Sequence, residues 1–169
     1  RRIKRALDID QTSVRVLNVD EQQQFQRFFL IRDYLEDKQT EIDDWNRAML
    51  NGDAAAAAVN SRRMTNLGVF RAYLLQYLRS NPKLRQDMAL IVRQLSPSPT
   101  GLPIEIYCFT DTTAWVEYEA IQSDIFDHVL AILPEFGLRL FQQPSGRDLQ
   151  ALRMDERVTR RAVLRLSHL

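Results

Sequence analysis

The 169-residue sequence predicts an α+β domain in which two helices cover one side of an antiparallel sheet. Residues 88–109 contain two short runs of alternating apolar and polar side chains, separated by the turn SPSPTG, and this pattern is typical of a β-hairpin. A helical pattern follows as far as Leu133, and Gly137 then precedes the alternating run LRLFQ. We therefore expect strand, strand, helix and strand in succession between residues 88 and 142.

The first half of the chain carries a strand pattern and a second helix pattern. Residues 1–17 alternate apolar and polar side chains, with a bend expected after Asp10. The apolar positions of this run are Ile3, Leu7, Ile9, Val14 and Val16. An apolar stripe at helical spacing then predicts a helix that ends at Asn81-Pro82. The stripe consists of Val69, Phe70, Tyr73, Leu74, Tyr77 and Leu78.

Without residues 20–65, the predicted order is strand, helix, two strands, helix, strand. This βαββαβ order is the ferredoxin-like arrangement, with a four-stranded sheet. The expected organisation is a first-strand region (1–19), a helical insertion and linker (20–65), the remainder of the α/β domain (66–143) and a C-terminal helical tail (144–169).

The insertion has a helical pattern with one apolar side. Asp20 is the expected N-cap, and the pattern reaches about Leu50 as one helix or as two with a break. Its apolar positions are Phe25, Phe28, Phe29, Leu35, Ile42, Trp45 and Met49. This side must pack either on its own domain or on another subunit. The connector that follows contains Ala54–Ala58, which has no amphipathic face, so we expect that run to be mobile.

The last long helix should begin after a cap at Thr112 or Thr113. We expect its buried face to comprise Val116, Ile121, Ile125, Val129, Ile132 and Leu133. Asp124 and His128 fall one turn apart on it, but two ligands without a cysteine or a second histidine are too few for a metal site.

No motif in the sequence predicts catalysis, and we assign no catalytic, cofactor-binding or metal-binding residue. A glycine-rich phosphate loop, an HExxH motif, a cysteine pair and a nucleophile elbow are all missing from the sequence. Asp43 and Asp44 lie in a solvated helical pattern, and Tyr73 and Tyr77 fit core packing better than base stacking. The aromatic strand motif of RNA-recognition modules is missing too, so neither an enzyme nor a nucleic-acid partner is expected.

The composition of the sequence excludes few further classes of function. The net charge of +1 gives no reason to expect an acidic partner for the whole chain. The single cysteine, Cys108, lies in an apolar strand, which predicts a buried structural thiol. No run approaches the roughly 18 apolar residues of a membrane helix. The chain starts at Arg1 within a strand pattern, and we expect it to be part of a longer protein.

The tail has a basic pattern. Residues 147–169 contain six arginines against three acidic residues, a net charge of +3, with broken apolar periodicity. Such a helix could touch an anionic membrane, although a solvated or intersubunit helix fits the pattern better.

Several stretches resemble the cytoplasmic C-terminal region of MscS-type mechanosensitive channels, in particular the miniconductance YbdG-like branch. The resemblance covers residues 1 to about 146 and is carried by RRMTNLGVFRAYLLQYLRSNP, MALIVRQL, GLPIEIYCFTDTTAW and YEAIQSDIFDHVLAILPEFGLRLFQQPSG. The opening RRIKRALDIDQTSVRVL resembles the passage in which that branch leaves its β-domain and enters its α/β domain.

The resemblance implies a homo-oligomeric ring, usually a heptamer, in the bacterial inner membrane. Such a channel opens under membrane tension and releases ions and small solutes on hypo-osmotic shock. This region would form part of the hollow cytoplasmic vestibule, a structural role that implies no cofactor. The competing hypothesis is a free-standing ferredoxin-like module that regulates or binds another protein.

Overall fold

The computed structural model describes residues 1–50 and 58–143, and these residues form a mixed α+β fold around a small antiparallel sheet. The elements in chain order are β1 (Arg2–Ile9), α1 (Val19–Phe25), α2 (Arg32–Leu50), α3 (Asn66–Arg79), β2 (Ile91–Gln94), β3 (Leu102–Phe109) and α4 (Trp115–Ile132). Short 3-10 turns lie at Gln11–Ser13, Phe29–Ile31, Ala58–Asn60 and Leu133–Phe136. The expectations for the alanine run at 54–57 and for the tail at 144–169 lie outside the described residues.

The sheet has the strand order β1-β3-β2, with both pairs antiparallel. In the register, Ile3 lies opposite Cys108 and Val92 lies opposite Ile106. Because strand side chains alternate between faces, this register places the aliphatic positions of all three strands on one side. These side chains are buried in a single core with the apolar residues of α3 and α4. The alternation predicted for β1 and β3 is therefore confirmed.

Two predicted strands are shorter than expected. The run from Leu138 does not form a strand and makes only one bridge, from Leu140 to Ile9 at the outer edge of β1. The amide of Phe141 donates to the Asp8 carbonyl and the amide of Asp10 donates to the Arg139 carbonyl, each over 2.8 Å, but the next amide in register, that of Gln143, makes no bond to β1. The expected fourth strand is thus reduced to this bridge among the described residues.

The strand predicted from Met88 begins only at Ile91. Leu84 is bridged to Thr110, and Ile91 pairs with Tyr107. Leu84 and Ile91 are seven residues apart in sequence, whereas their partners, Thr110 and Tyr107, are only three residues apart. The residues between Leu84 and Ile91 therefore loop out from the sheet, and Met88 is exposed.

The insertion forms two helices, α1 and α2, with a break between them, which was one of the two sequence alternatives. The predicted N-cap, Asp20, is wrong. Asn18 caps α1 in a capping box, in which its side chain accepts from the Glu21 amide and Glu21 accepts from the Asn18 amide. The Glu21 carboxylate also forms an ion pair with Arg15.

The apolar side of the insertion packs on its own domain. Phe25, Ile31 and Leu35 are almost completely buried within the same core as α3. Phe25 contacts the ring of Phe136 at a centroid distance of 5.4 Å, which joins α1 to the 3-10 turn that follows α4.

The start of α4 differs from the prediction. Its N-cap is Ala114, without a side-chain cap, because the Thr112 hydroxyl accepts from the Ala114 amide outside the helix. Val116 was expected in the core but is exposed, because it lies five residues before Ile121 and so turns away from the buried face of α4. Tyr118 of the same turn does face β1, and its hydroxyl donates to the Arg2 carbonyl. Phe126, which the stripe did not include, is buried under the Arg5 guanidinium at 4.3 Å.

Asn66 is a buried polar residue that sequence patterns did not identify. Its side-chain amide donates to the Ser13 carbonyl at 2.9 Å, and its carbonyl oxygen accepts from the Arg15 amide at 2.9 Å. Because a buried polar group is costly unless it is paired, these two bonds hold the segment after β1 against the start of α3.

The buried face of β3 leads to the first prediction. Replacing Ile106 with Asp places a carboxyl group at a position that is 0% exposed. Arg5 is its cross-strand partner on β1, but the Arg5 guanidinium lies over the Phe126 ring. We expect the free energy of unfolding to fall by more than about 4 kcal/mol, enough to prevent folding. The control is Ile91→Asp on the partly exposed edge strand, which should retain a cooperative transition in circular dichroism. A cooperatively folded Ile106→Asp protein would show that the face assignment is wrong.

Candidate interaction surfaces

The sheet side that α3 and α4 do not cover is called here the open sheet face, and it consists of Arg2, Lys4, Ile91, Arg93, Glu105, Tyr107 and Phe109. Successive side chains of a strand point to opposite faces of the sheet. These residues alternate with the core residues of β1, β2 and β3, so their side chains point away from the core. The sequence predicted a face of mixed polarity here, and the structure confirms the mixture.

An ion pair lies at the centre of the open sheet face. The Arg93 Nε donates to the Glu105 carboxylate at 2.8 Å, and Arg93 Nη2 lies 2.6 Å from the same oxygen. The Glu105 side chain is only 7% exposed, so solvent weakens this pair less than an exposed one. Removal of Arg93 would leave a buried carboxylate without its partner, which is strongly unfavourable.

Aromatic and cationic groups surround that pair. The Arg2 guanidinium lies 5.9 Å from the centroid of the Tyr107 ring, and Phe109 packs edge-on against the same ring at 5.5 Å. Ile91, opposite Tyr107, is partly exposed at the sheet edge. The open sheet face can therefore offer both apolar contact and hydrogen-bond donors to another protein surface.

The first turn of α4 forms a second surface, the α4 patch, which consists of Trp115 and Val116. Their exposed fractions are 69% and 82%. The Trp115 indole N–H donates to Glu119 at 3.0 Å, which fixes the ring along the helix. Large exposed apolar side chains next to each other are typical of contact surfaces between proteins.

A third surface is an apolar cleft of about 210 Å³ beside the break between α1 and α2. Its lining includes Phe28, Phe29, Tyr73, Ile132 and Phe136. The Phe29 side chain, at the edge of the cleft, is 79% exposed. Arg27 and Glu135 also line the cleft, but most of its exposed lining is apolar, so it suits an apolar side chain better than a polar ligand.

The structure brings His128, Tyr73 and Tyr77 together between α3 and α4. The Tyr73 hydroxyl lies 3.0 Å from His128 Nε2, and the Tyr77 ring stacks on the imidazole at 4.3 Å. Burial lowers the pKa of His128, so a neutral ring that accepts from the hydroxyl is favoured. Burial also raises the pKa of Tyr73. His128 is thus held in a packing contact between α3 and α4.

The other candidate residues are held in structural contacts. Asp44 pairs with Arg47 at 2.9 Å, and Asp43 accepts from the Gln39 amide at 2.8 Å. Burial raises the pKa of the Cys108 thiol to about 11, which disfavours the reactive thiolate. Within residues 1–50 and 58–143, no three His, Cys, Asp or Glu side chains are grouped so that they could hold a metal ion.

The helices of the described part of the chain are not long and apolar enough to cross a membrane.

Comparison with known proteins places residues 58–140 within the family model described as "Mechanosensitive ion channel MscS, C-terminal". The matched residues include α3, β2, β3 and α4. The low conductance mechanosensitive channel YnaI of Escherichia coli (strain K12) is 33% identical over 71 residues. That alignment covers 42% of this chain and 21% of YnaI, so the chain spans about a fifth of the length of this relative. Both similarities support a C-terminal region of the MscS type.

The contact between His128 and the tyrosines predicts a pH dependence of stability. Because the folded-state pKa of His128 lies below its ordinary value of 6.5, the unfolded chain binds a proton more readily. Stability from the neutral ring is fully present above pH 6.5 and is lost as the pH falls through the lower, folded-state pKa.

The measurement is the free energy of unfolding in urea between about pH 7.5 and 5, compared with His128→Gln. Carboxyl groups titrate alike in both proteins, so the difference between the two curves isolates His128. We expect that difference to change across this range, with the wild type losing more stability in acid. Parallel curves would contradict a neutral, half-buried His128.

Proposed function

We propose that this chain is a cytoplasmic vestibule domain of an MscS-type mechanosensitive channel, which releases ions and small solutes on hypo-osmotic shock. The observation that carries the proposal is the match of residues 58–140 to the C-terminal domain of that family. The similarity to YnaI, itself named as a mechanosensitive channel, points in the same direction.

The domain would have a structural role in this channel and no catalytic or cofactor chemistry. A vestibule wall must keep its shape while solutes pass, and the single apolar core beneath the sheet is suited to that task. A wall must also join its neighbours. The α4 patch and the open sheet face are available for contacts between copies of the chain in a homo-oligomeric ring, which we propose to be a heptamer.

The sheet would have the ferredoxin-like arrangement. The three strands follow the order β1-β3-β2, and the bridge from Ile9 to Leu140 lies on the free side of β1. A fourth strand continued from this bridge would complete the order β4-β1-β3-β2, with all neighbours antiparallel. The proposed units remain a first-strand region (1–19), a helical insertion (20–65), the rest of the α/β domain (66–143) and a tail (144–169).

We further propose that the parent protein belongs to the YbdG-like miniconductance branch and lies in the bacterial inner membrane, with this region on the cytoplasmic side. Support comes from the helical insertion, α1 and α2, which precedes the family match and packs on the core. A nucleic-acid partner is not part of this function.

The α4 patch provides the test of assembly. In the full-length protein, Val116→Asp should disrupt the ring, because it places a charge in an apolar contact. The fold should persist, since an acidic residue suits the first turn of a helix. The matched control is Val59→Asp, because Val59 has almost the same exposure, 86% against 82%.

The readouts are the mass of the purified complex in detergent and survival of hypo-osmotic shock in bacteria without other mechanosensitive channels. We expect the wild type and Val59→Asp to form one large ring and to protect cells, and Val116→Asp to lose most of both. A stable dimer of the wild type, without protection, would instead favour a free-standing interaction module.

A further inference from the structure

A cleft of mixed polarity and about 390 Å³ lies between the insertion helix α2, the core helix α3 and the edge strand β2. Tyr34 and Lys38 of α2 line it, as do Arg71 and Gln76 of α3 and Val92 of β2. This cleft, called here the Arg71 cleft, is distinct from the apolar cleft beside Phe29. It plays no part in the assembly surfaces described above.

Arg71 has no carboxylate partner among the described residues. Six of the fourteen described arginines pair with a carboxylate, namely Arg15, Arg47, Arg62, Arg85, Arg93 and Arg139. Arg71 is not among them, and its Nε–H is buried without an acceptor. Because that atom is closed off from the cleft, a ligand would accept from the terminal nitrogens of the Arg71 guanidinium instead.

The second cation of the cleft, Lys38, shares its carboxylate partner with another cation. The Lys38 ammonium donates to Glu41 at 2.8 Å, but the same carboxylate also accepts from Arg62 at 2.6 Å. One carboxylate is thus shared by two cations, and Arg71 adds a third positive charge across the cleft. Lys38 and Arg71 line the cleft and no carboxylate of the described residues does, which favours an anionic ligand.

We propose that the Arg71 cleft binds a small, free oxyanion of the phosphate type. The guanidinium of Arg71 is the principal donor, because its planar fork matches a tetrahedral oxyanion with two parallel N–H bonds. The Lys38 ammonium adds charge, and the Gln76 amide adds a neutral donor. This inference does not depend on the channel function, since it rests only on the contacts between α2, α3 and β2.

The experiment is a titration of the full-length chain with inorganic phosphate, followed by calorimetry and by the midpoint of thermal unfolding. Sodium chloride keeps the ionic strength constant, so general screening does not change. We expect saturable binding and a rise in the unfolding midpoint. Arg71→Met, which keeps the aliphatic stem but removes the donors, should weaken binding at least about tenfold.

The control is Arg79→Met, which removes an exposed arginine from the last turn of the same helix and should bind phosphate like the wild type. If Arg71→Met does not fold, Lys38→Met decides the question, because it should fold and bind several-fold more weakly. The absence of saturable binding by the wild type would overturn the proposal. So would an equal loss in Arg79→Met, or binding to phosphatidylglycerol vesicles without binding to free phosphate.

Discussion

The rest of the structure depends on the pairing of β3 with both of the other strands. This central strand fixes the register of β1 and β2, and a slip by one residue would move every side chain to the opposite face. In the observed register, Ile104, Ile106 and Cys108 are buried, while Tyr107 and Phe109 face outward. One strand therefore defines both the core that holds the domain together and the face that it offers to others.

The insertion is joined to this core by packing and by specific polar contacts. Asn66 binds the segment that precedes the insertion to the start of α3, and the rings of Phe25 and Phe136 bring α1 against the turn that follows α4. Because Phe25 of α1 and both Leu35 and Ile42 of α2 are buried in the shared core, the two helices are part of the domain. The surfaces that remain for partners are the open sheet face, the α4 patch and the two clefts.

Sequence patterns predicted the features that depend on local periodicity. The alternation in β1 and β3 and the stripe of α3 identified most of the core, since burial of one face imposes these periods directly. Errors arose where a residue lies off the helical period or where tertiary contacts end an element. Val116 was assigned to the buried face of α4, yet it lies five residues before Ile121 and turns away from that face. The strand after Leu138 alternates correctly, yet it forms only one bridge to β1.

The candidate surfaces also differ in whether local sequence periodicity predicts them. The mixed polarity of the open sheet face followed from strand alternation, whereas the α4 patch and the Arg71 cleft depend on how helices lie against the sheet.

The most direct test of the channel assignment is a patch recording from bacterial membranes that contain the full-length parent protein. The account predicts a current that appears when suction stretches the patch. A parent protein that reaches the membrane but gives no tension-dependent current would contradict it.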